Sequence, residues 1–265
     1  MSLREFRRRL TPNWLHTDAR RQWRNVVFRR LGIQRCYTPP VVIRRPELLV
    51  RSWLPYVVAH ELLDNRKVTF LQIGAYDGRS DDDLRDLVVR HSLRGVLVEP
   101  QPAAFARLRE TYRDQPQVTL LQAAIADREG VRNLYCRRGD ASMAASFDAE
   151  HLRRHGIPSA EIIRQPVVCH TVESALRTAG LESVDLIQID AEGYDWPIIH
   201  SIDFAKVRPA ILRFEYRHMH SSDADACLDF LARHGYLFLL EARDIIAHRV
   251  ENIGVARLAD KRLSA

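Results

Sequence analysis

The chain has 265 residues, 46% hydrophobic and 28% charged, with 40 Lys and Arg against 34 Asp and Glu for a formal net charge of +6. That is enough apolar material for one substantial core, and no apolar run approaches the roughly 18–20 residues that cross a bilayer, which excludes a membrane-spanning protein. Cys36, Cys136, Cys169 and Cys227 stand far apart without a C-x-x-C pair, which argues against a zinc ribbon or a disulfide framework and suits reduced thiols.

Residues 1–35 hold ten arginines against Glu5 and Asp18, about +8, which leaves the remainder near −2. Leu3, Phe6 and Leu10, then Trp23, Val27 and Leu31, recur at helical spacings and predict two short amphipathic helices. A basic helical extension over 1–65 is therefore expected ahead of a domain over 66–265. Such a segment could attach to anionic lipid or nucleic acid. With Lys67, Lys206 and Lys261 as the only lysines, however, arginine is simply the default cation of this chain. The start lacks the continuous apolar core of a secretory signal. A cytoplasmic location is expected, and residues 1–35 could give it peripheral membrane contact.

Pro39-Pro40 and Pro46 punctuate a connector, and Glu47 to Leu63 reads as a helix interrupted near Pro55. Val68 to Ile73 is a short apolar run ending in Gly-x-x-x-Gly, after which Ser80 and three aspartates open a helix through about Arg90. Gly95 to Glu99 predicts a second strand, Pro102 to Tyr112 a second helix and Val118 to Ala124 a third strand. This alternation is that of a right-handed βαβαβ unit, so the expected fold is α/β with a doubly wound, Rossmann-like sheet. Val131 to Cys136 adds a strand, and Arg137 to Gln165 reads as a weakly periodic insertion near the site. Val184 to Asp190 and Ala210 to Tyr216 predict further strands, with helices over Asp195 to Ser201 and Asp223 to His234. Tyr236 to Glu241 and Ile245 to Val250 form a closing pair.

In open α/β sheets, ligands bind outside the carboxyl ends of the strands, where Gly74 and Gly78 fall. Glycine lets the backbone approach a ligand closely. Glu99 ends the second strand 25 residues after Gly74, near the spacing at which an acidic side chain binds ribose hydroxyls. The structural alternative for Glu99 is a helix-capping glutamate beside Pro100. The loop lacks the G-x-G-x-x-G of dinucleotide enzymes, and Asp77 would not repel a cationic nucleoside, so a methyl donor is preferred over NAD.

With Gln72-Ile73-Gly74-Ala75-Tyr76-Asp77-Gly78, Val98-Glu99-Pro100-Gln101-Pro102 and Leu186-Ile187-Gln188-Ile189-Asp190-Ala191-Glu192-Gly193-Tyr194 in this order, the chain resembles the FkbM family of methyltransferases from about Val68 to Glu241. The resemblance implies a class I methyltransferase sheet, S-adenosyl-L-methionine as donor, and O-methylation of hydroxyls on sugars, polyketides and related metabolites. It places Gln72, Gly74, Ala75, Tyr76, Asp77 and Gly78 at the donor's amino-acid portion. Glu99 and Pro100 would lie at its ribose, Gln122 to Ala124 at its adenine, and Asp190 beside them. The family loop generally has asparagine where this chain has Tyr76, which would stack or act as a lid.

Transfer to a hydroxyl needs alignment and removal of a proton. Asp190, Glu215 and His218 are the expected catalytic residues, with Asp190 or His218 as general base. In a second reading Asp190 and Glu215 hold a hard divalent ion such as magnesium, and the metal-free route is preferred. Glu192 with Gly193 has a structural alternative as a cap of the helix at Asp195. His218 and His220 have one as exposed loop residues, and His170 as a strand-to-helix connector. Ser142, Ser146 and His151 fall in the insertion, where they could touch an acceptor. A small-molecule or glycan acceptor is expected. Nucleic acid is disfavoured because the Asn/Asp-Pro-Pro-aromatic signature of base-amine enzymes is absent. The competing function is a membrane- or nucleic-acid-associated protein with a non-catalytic methyltransferase-like fold.

Overall fold

The computed structural model describes residues 52–63, 67–139, 141–241 and 243–249. The expected amphipathic helices and the proline-rich connector lie outside the described residues. Those described belong to one compact unit, 51–265. No helix among them is long and apolar enough to cross a membrane.

The chain runs α1 (Leu54–Leu63), β1 (Thr69–Ile73), α2 (Asp83–His91), β2 (Arg94–Val98), α3 (Pro102–Thr111), β3 (Val118–Leu121), β4 (Ala124–Ile125) and β5 (Gly130–Arg137). It continues with α4 (Ala149–Arg154), β6 (Ile162–His170), α5 (Val172–Thr178), β7 (Leu186–Ile189), α6 (Asp195–Ser201), β8 (Ile211–Glu215), α7 (Ser221–Arg233), β9 (Tyr236–Leu240) and β10 (Asp244–Arg249). A seven-stranded sheet has the order β3-β2-β1-β7-β8-β10-β9. β3, β2, β1, β7 and β8 are parallel, and β10 runs antiparallel to both its neighbours. This is the doubly wound, Rossmann-like methyltransferase sheet.

The apolar runs form strands because both faces are covered. Alternate residues diverge: Leu71, Ile73, Val96, Val98, Ile187 and Ile189 join one core with Val172, Ile198, Ile199 and Leu231 of the helices. Phe70, Leu97, Leu186 and Ile211 join the other with Leu84, Val88 and Leu108. Near-continuous apolar strands are the signature of this two-sided burial. Leu54, Val57 and Val58 pack into the second core, so α1 belongs with the sheet although it precedes the boundary expected at residue 65. Pro55 falls in the first turn of α1, where proline is tolerated, and the part of the expected helix from Glu47 to Arg51 lies outside the described residues. Asp82, rather than Ser80, caps α2: its Oδ1 accepts from the amides of Leu84 at 3.0 Å and Arg85 at 3.3 Å.

Two expectations are corrected. The third strand stops at Leu121 rather than Ala124, and Ala124–Ile125 pairs instead with β6 in a second sheet of order β4-β6-β5. The stretch 137–165 is not irregular throughout: Asp148 caps α4, and β6 begins at Ile162, antiparallel to β5. The end of β6 at His170 agrees with the strand-to-helix connector expected there, whereas its start is obscured in sequence because Arg164, Gln165 and Pro166 interrupt its apolar residues.

Strand order reverses direction at β1, which has β2 on one side and β7 on the other. That switch point is where a doubly wound sheet opens a crevice at its carboxyl edge.

Candidate active site

A cavity occupies this crevice, walled by the ends of β1, β2 and β7 and by residues that follow β3 and β5. Of the expected donor-binding residues, Gln72, Gly74, Ala75, Tyr76, Glu99, Pro100, Ala124 and Asp190 all line it. Asp77 and Gly78 do not. Asp77 instead shapes the loop: its Oδ1 accepts from the amides of Arg79 and Ser80 at 2.9 and 2.8 Å, and its Oδ2 from Ser80 Oγ at 2.7 Å. Gly78 is pressed against α3, where a Cβ would stand 2.7 Å from Leu108 Cδ1 and 2.6 Å from Tyr112 Cε2. Ala123 and Ile125 join the wall, whereas Gln122 is not part of it.

Glu99 is 3% exposed at the end of β2. Its Oε2 accepts the Tyr76 amide at 2.9 Å and its Oε1 the Gln101 amide at 2.8 Å. Burial nonetheless pushes its pKa up to about 7, against the opposing effect of these donors and of Arg107. The carboxylate thus ties the β1 loop to the start of α3. Tyr76 has φ +47, a left-handed conformation that asparagine adopts more readily than tyrosine. Its hydroxyl donates to the Ala141 carbonyl at 3.3 Å, and the Arg107 guanidinium stands over its ring. Gln101 binds Ser142 in both directions, Nε2 to the carbonyl and Oε1 from the amide, each at 2.9 Å. Tyr76 and Gln101 therefore hold the segment of Ser142, Met143, Ala145 and Phe147 against the cavity.

Asp190 follows β7. Its side chain is open to the cavity yet ringed by protein, and burial with the nearby Glu192 carboxylate pushes its pKa up to about 7. It makes no side-chain hydrogen bond or ion pair among the described residues. Gln72, also on the wall, keeps a buried Oε1 without a hydrogen-bond partner. Acceptors lacking donors suit a ligand that brings cationic or N–H groups. Asp195, fully buried, accepts the Glu215 amide at 3.2 Å, and burial among the Asp190 and Glu215 carboxyls raises it well above the usual range.

Glu192 lies on the wall between this cavity and a second, polar cleft that includes Arg132, Arg154, Tyr194, Trp196, His218 and His220. It does not cap α6, whose N-cap is Tyr194 without a side-chain bond. Its Oε2 instead lies 2.7 Å from His151 Nε2 and 3.9 Å from His218 Nε2. His218 Nε2 is 3.5 Å from Glu215 Oε2, and burial together with His151 and His155 lowers its pKa. Glu215 is raised to about 8 by burial and by Asp190 and Glu192. His220 precedes α7 without capping it, and His170 binds Ser174 Oγ at 2.9 Å where β6 passes into α5.

The structure does not gather Asp190 and Glu215 into a group of ligands for a hard ion. The groups of potential ligands among the described residues are His151, His155, Glu192 and His218, and His60, Glu61 and His248. His155 and Gln101 carry no role in the sequence reading. The i, i+4 spacing of His151 and His155 was a signal available for the first; for Gln101, whose partner is forty-odd residues away, there was none.

The family model for the methyltransferase FkbM domain matches residues 72–238. The chain is similar to the 2-O-methyltransferase NoeI of Sinorhizobium fredii (strain NBRC 101917 / NGR234), 27% identical over 193 residues that cover 70% of this chain and 76% of that protein. Among solved structures it is similar to a methyltransferase FkbM from Methylobacillus flagellatus KT, with 11% identity, a TM-score of 0.44, and coverage of 88% of this chain and 72% of that one. It is also similar to an O-methyltransferase from Bacillus cereus in complex with SAH, with 11% identity, a TM-score of 0.39, and coverage of 91% and 93%.

Proposed function

The chain belongs to the FkbM family of methyltransferases, and on that premise we propose that it transfers a methyl group from S-adenosyl-L-methionine to a hydroxyl of a sugar, glycan or related small acceptor. The observation that carries this reading is Glu192: it stands on the common wall of the switch-point cavity and the polar cleft, so donor and acceptor would meet there.

The cavity wall fits the donor. The orphaned Gln72 Oε1 and the unpartnered Asp190 carboxylate complement an ammonium and a sulfonium, and Glu99 can accept from a ribose diol. Gly74 lines the same cavity, at the point where the β1 and β7 ends come together. Bound there, S-adenosyl-L-methionine supplies an electrophilic methyl group, whose bond to sulfur breaks as its bond to the acceptor oxygen forms.

The chain's own work is alignment and deprotonation. Asp190 is the assigned base: a pKa near 7 matches proton uptake at neutral pH, and no donor among the described residues competes for its oxygens. Glu215 and His218 form the supporting pair beside it. A sugar-sized acceptor suits the cleft because Trp196 and Tyr194 offer aromatic faces to ring C–H groups while Arg132 and Arg154 offer donors to hydroxyls. The curated relative's name, a 2-O-methyltransferase, points the same way.

The test is calorimetry of the full chain with S-adenosyl-L-methionine and, separately, NAD, followed by transfer of labelled methyl to a panel of free and oligomeric sugars. Donor binding with label recovered in a methyl ether is expected. Binding of NAD without S-adenosyl-L-methionine would end the proposal, and label appearing on nitrogen would confine it to methyl transfer alone.

A further inference from the structure

We propose that His151, His155, Glu192 and His218 form a binding site for a first-row transition-metal dication of the kind that takes imidazole ligands, set on the wall between the donor cavity and the acceptor cleft. Three imidazoles and one carboxylate converge there from three separate parts of the chain: α4 and its C-cap, the turn after β7, and the turn after β8.

The four ligand atoms all lie within 4.8 Å of one another, and the closest pair, His151 Nε2 and Glu192 Oε2, is 2.7 Å apart. An ion with bonds of about 2.0–2.1 Å holds tetrahedral ligand atoms roughly 3.4 Å apart, so small side-chain rotations suffice to close the shell. The three rings are in mutual contact, with centroids 4.4, 4.9 and 4.8 Å apart. His151 and His155 sit at i and i+4, the spacing that puts two imidazoles on one helix face.

The surroundings orient the ligands. His155 Nδ1 lies 2.9 Å from the His151 carbonyl, and donating to it fixes the tautomer that leaves Nε2 with a free lone pair. Glu192 has φ +48, a conformation that strains a non-glycine residue, and Ser146 Oγ holds its carbonyl at 2.8 Å.

A donor set of three nitrogens and one carboxylate oxygen favours zinc, cobalt, nickel or iron over magnesium, which prefers oxygen ligands and water. His155 is exposed and His218 half-buried beside the cleft, so a further ligand from solvent or acceptor can enter on that side. A hydroxyl bound there becomes more acidic. The ion site stands on the cluster itself; its role in anchoring the acceptor rests on the methyl-transfer reading above.

The experiment uses the full chain without an affinity tag, stripped by chelator and titrated with Co²⁺. One equivalent is expected, with the intense visible absorption of four- or five-coordinate cobalt, displaced by one equivalent of Zn²⁺ and unaffected by millimolar Mg²⁺. His155→Ala, on the exposed rim, is expected to weaken Co²⁺ binding at least about 100-fold while the circular dichroism spectrum is kept, since losing a ligand costs no less than losing an outer partner. Glu192→Gln is expected to do the same. A titration without an endpoint, or an unchanged spectrum and stoichiometry in both variants, overturns the site. S-adenosyl-L-methionine binding is measured on the same samples: a cobalt site without donor binding would sink the methyltransferase reading and leave the metal site standing, and the reverse result would do the opposite.

Discussion

Gly74 meets the backbone of Asp190 so closely that a Cβ on Gly74 would stand 2.0 Å from the Asp190 carbonyl oxygen. The contact occurs where β1 and β7 leave the sheet, next to bonds of 3.0 Å from the Gly74 amide to the Val98 carbonyl and from the Asp190 amide to the Ile73 carbonyl. The close approach, together with φ +79, is the physical requirement for glycine here. Gly74→Ala is expected to lose about 2–4 kcal/mol of stability, combining left-handed strain with a backbone clash, and to abolish donor binding. Urea denaturation and calorimetry check both. An alanine variant with native stability would show that the strand ends separate freely.

Glu99→Gln keeps the side-chain shape and removes the charge. Two roles converge on this carboxylate, acceptance of the Tyr76 and Gln101 amides and the proposed acceptance from ribose. Charge-assisted hydrogen bonds contribute about 1.5–3 kcal/mol, so donor affinity is expected to fall on the order of 10- to 100-fold. Calorimetry with the donor and with adenosine locates the loss: a ribose contact weakens both ligands, whereas a purely structural role lowers the denaturation midpoint and leaves both affinities unchanged.

The same residue sets a pH dependence. Its folded pKa is raised from 4.5 to about 7, so the stability it contributes is full below about 4.5 and is lost as pH rises through about 7. Deprotonation also readies it to accept from ribose, with Arg107 the cation that favours ionisation and Cys136 a neighbouring thiol. Between pH 5 and 8, roughly 2–3 kcal/mol of stability should disappear through this group as donor affinity rises. Denaturation midpoints recorded across that range for the parent and for Glu99→Gln should lie closest at low pH and separate as pH rises, the parent losing stability that the amide variant keeps. Parallel curves would assign the titration to another group.

Much of this arrangement is legible in sequence, for a definite reason. β1, β2, β7 and β8 are buried on both faces, so their apolar runs are near-continuous, broken only by Gln72, Gln188 and Arg213, and Gly74, Glu99 and Asp190 mark where three of those runs end. The loop misleads at Asp77 and Gly78, which match a ligand-binding motif but serve the turn and α3. Spacing within a motif does not say which side of a loop meets the ligand. The insertion is least legible, because its residues are placed by distant partners: Ser142 by Gln101, and His151 by Glu192.

The Gln101 contact to Ser142 can be tested by itself. Gln101→Ala removes the paired bonds to the Ser142 backbone while leaving the core side chains in place. The change should raise amide exchange over residues 141–147 by about tenfold or more, at roughly 0.5–1.5 kcal/mol per bond lost, with β1 and β7 unaffected. Weaker donor binding should accompany it, because Met143 and Phe147 line the same cavity. Unchanged exchange across the segment would show that Tyr76 and the Ser146 bonds to Tyr135 and Glu192 hold it without Gln101.

Asp190 poses the sharpest conflict between stability and activity. Burial and Glu192 raise its pKa from 3.8 to about 7, so the stability tied to its protonated form is present below about 4 and is lost as pH rises through 7. At pH 8 the folded chain therefore bears an ionised carboxylate that accepts no hydrogen bond from the described residues. Asp190→Asn relieves that charge with the same shape. Since one face meets the cavity, the gain is about 1 kcal/mol rather than the full linkage value, or roughly 2–4 °C in Tm at pH 8. The amide cannot accept the acceptor's proton, so kcat should fall on the order of 100-fold or more with the KM for the acceptor little changed. Such trade-offs are characteristic of residues kept for chemistry rather than folding. A variant that is less stable at pH 8 and retains kcat would remove Asp190 from the reaction and leave Glu215, with His218 beside it, as the carboxylate to test next.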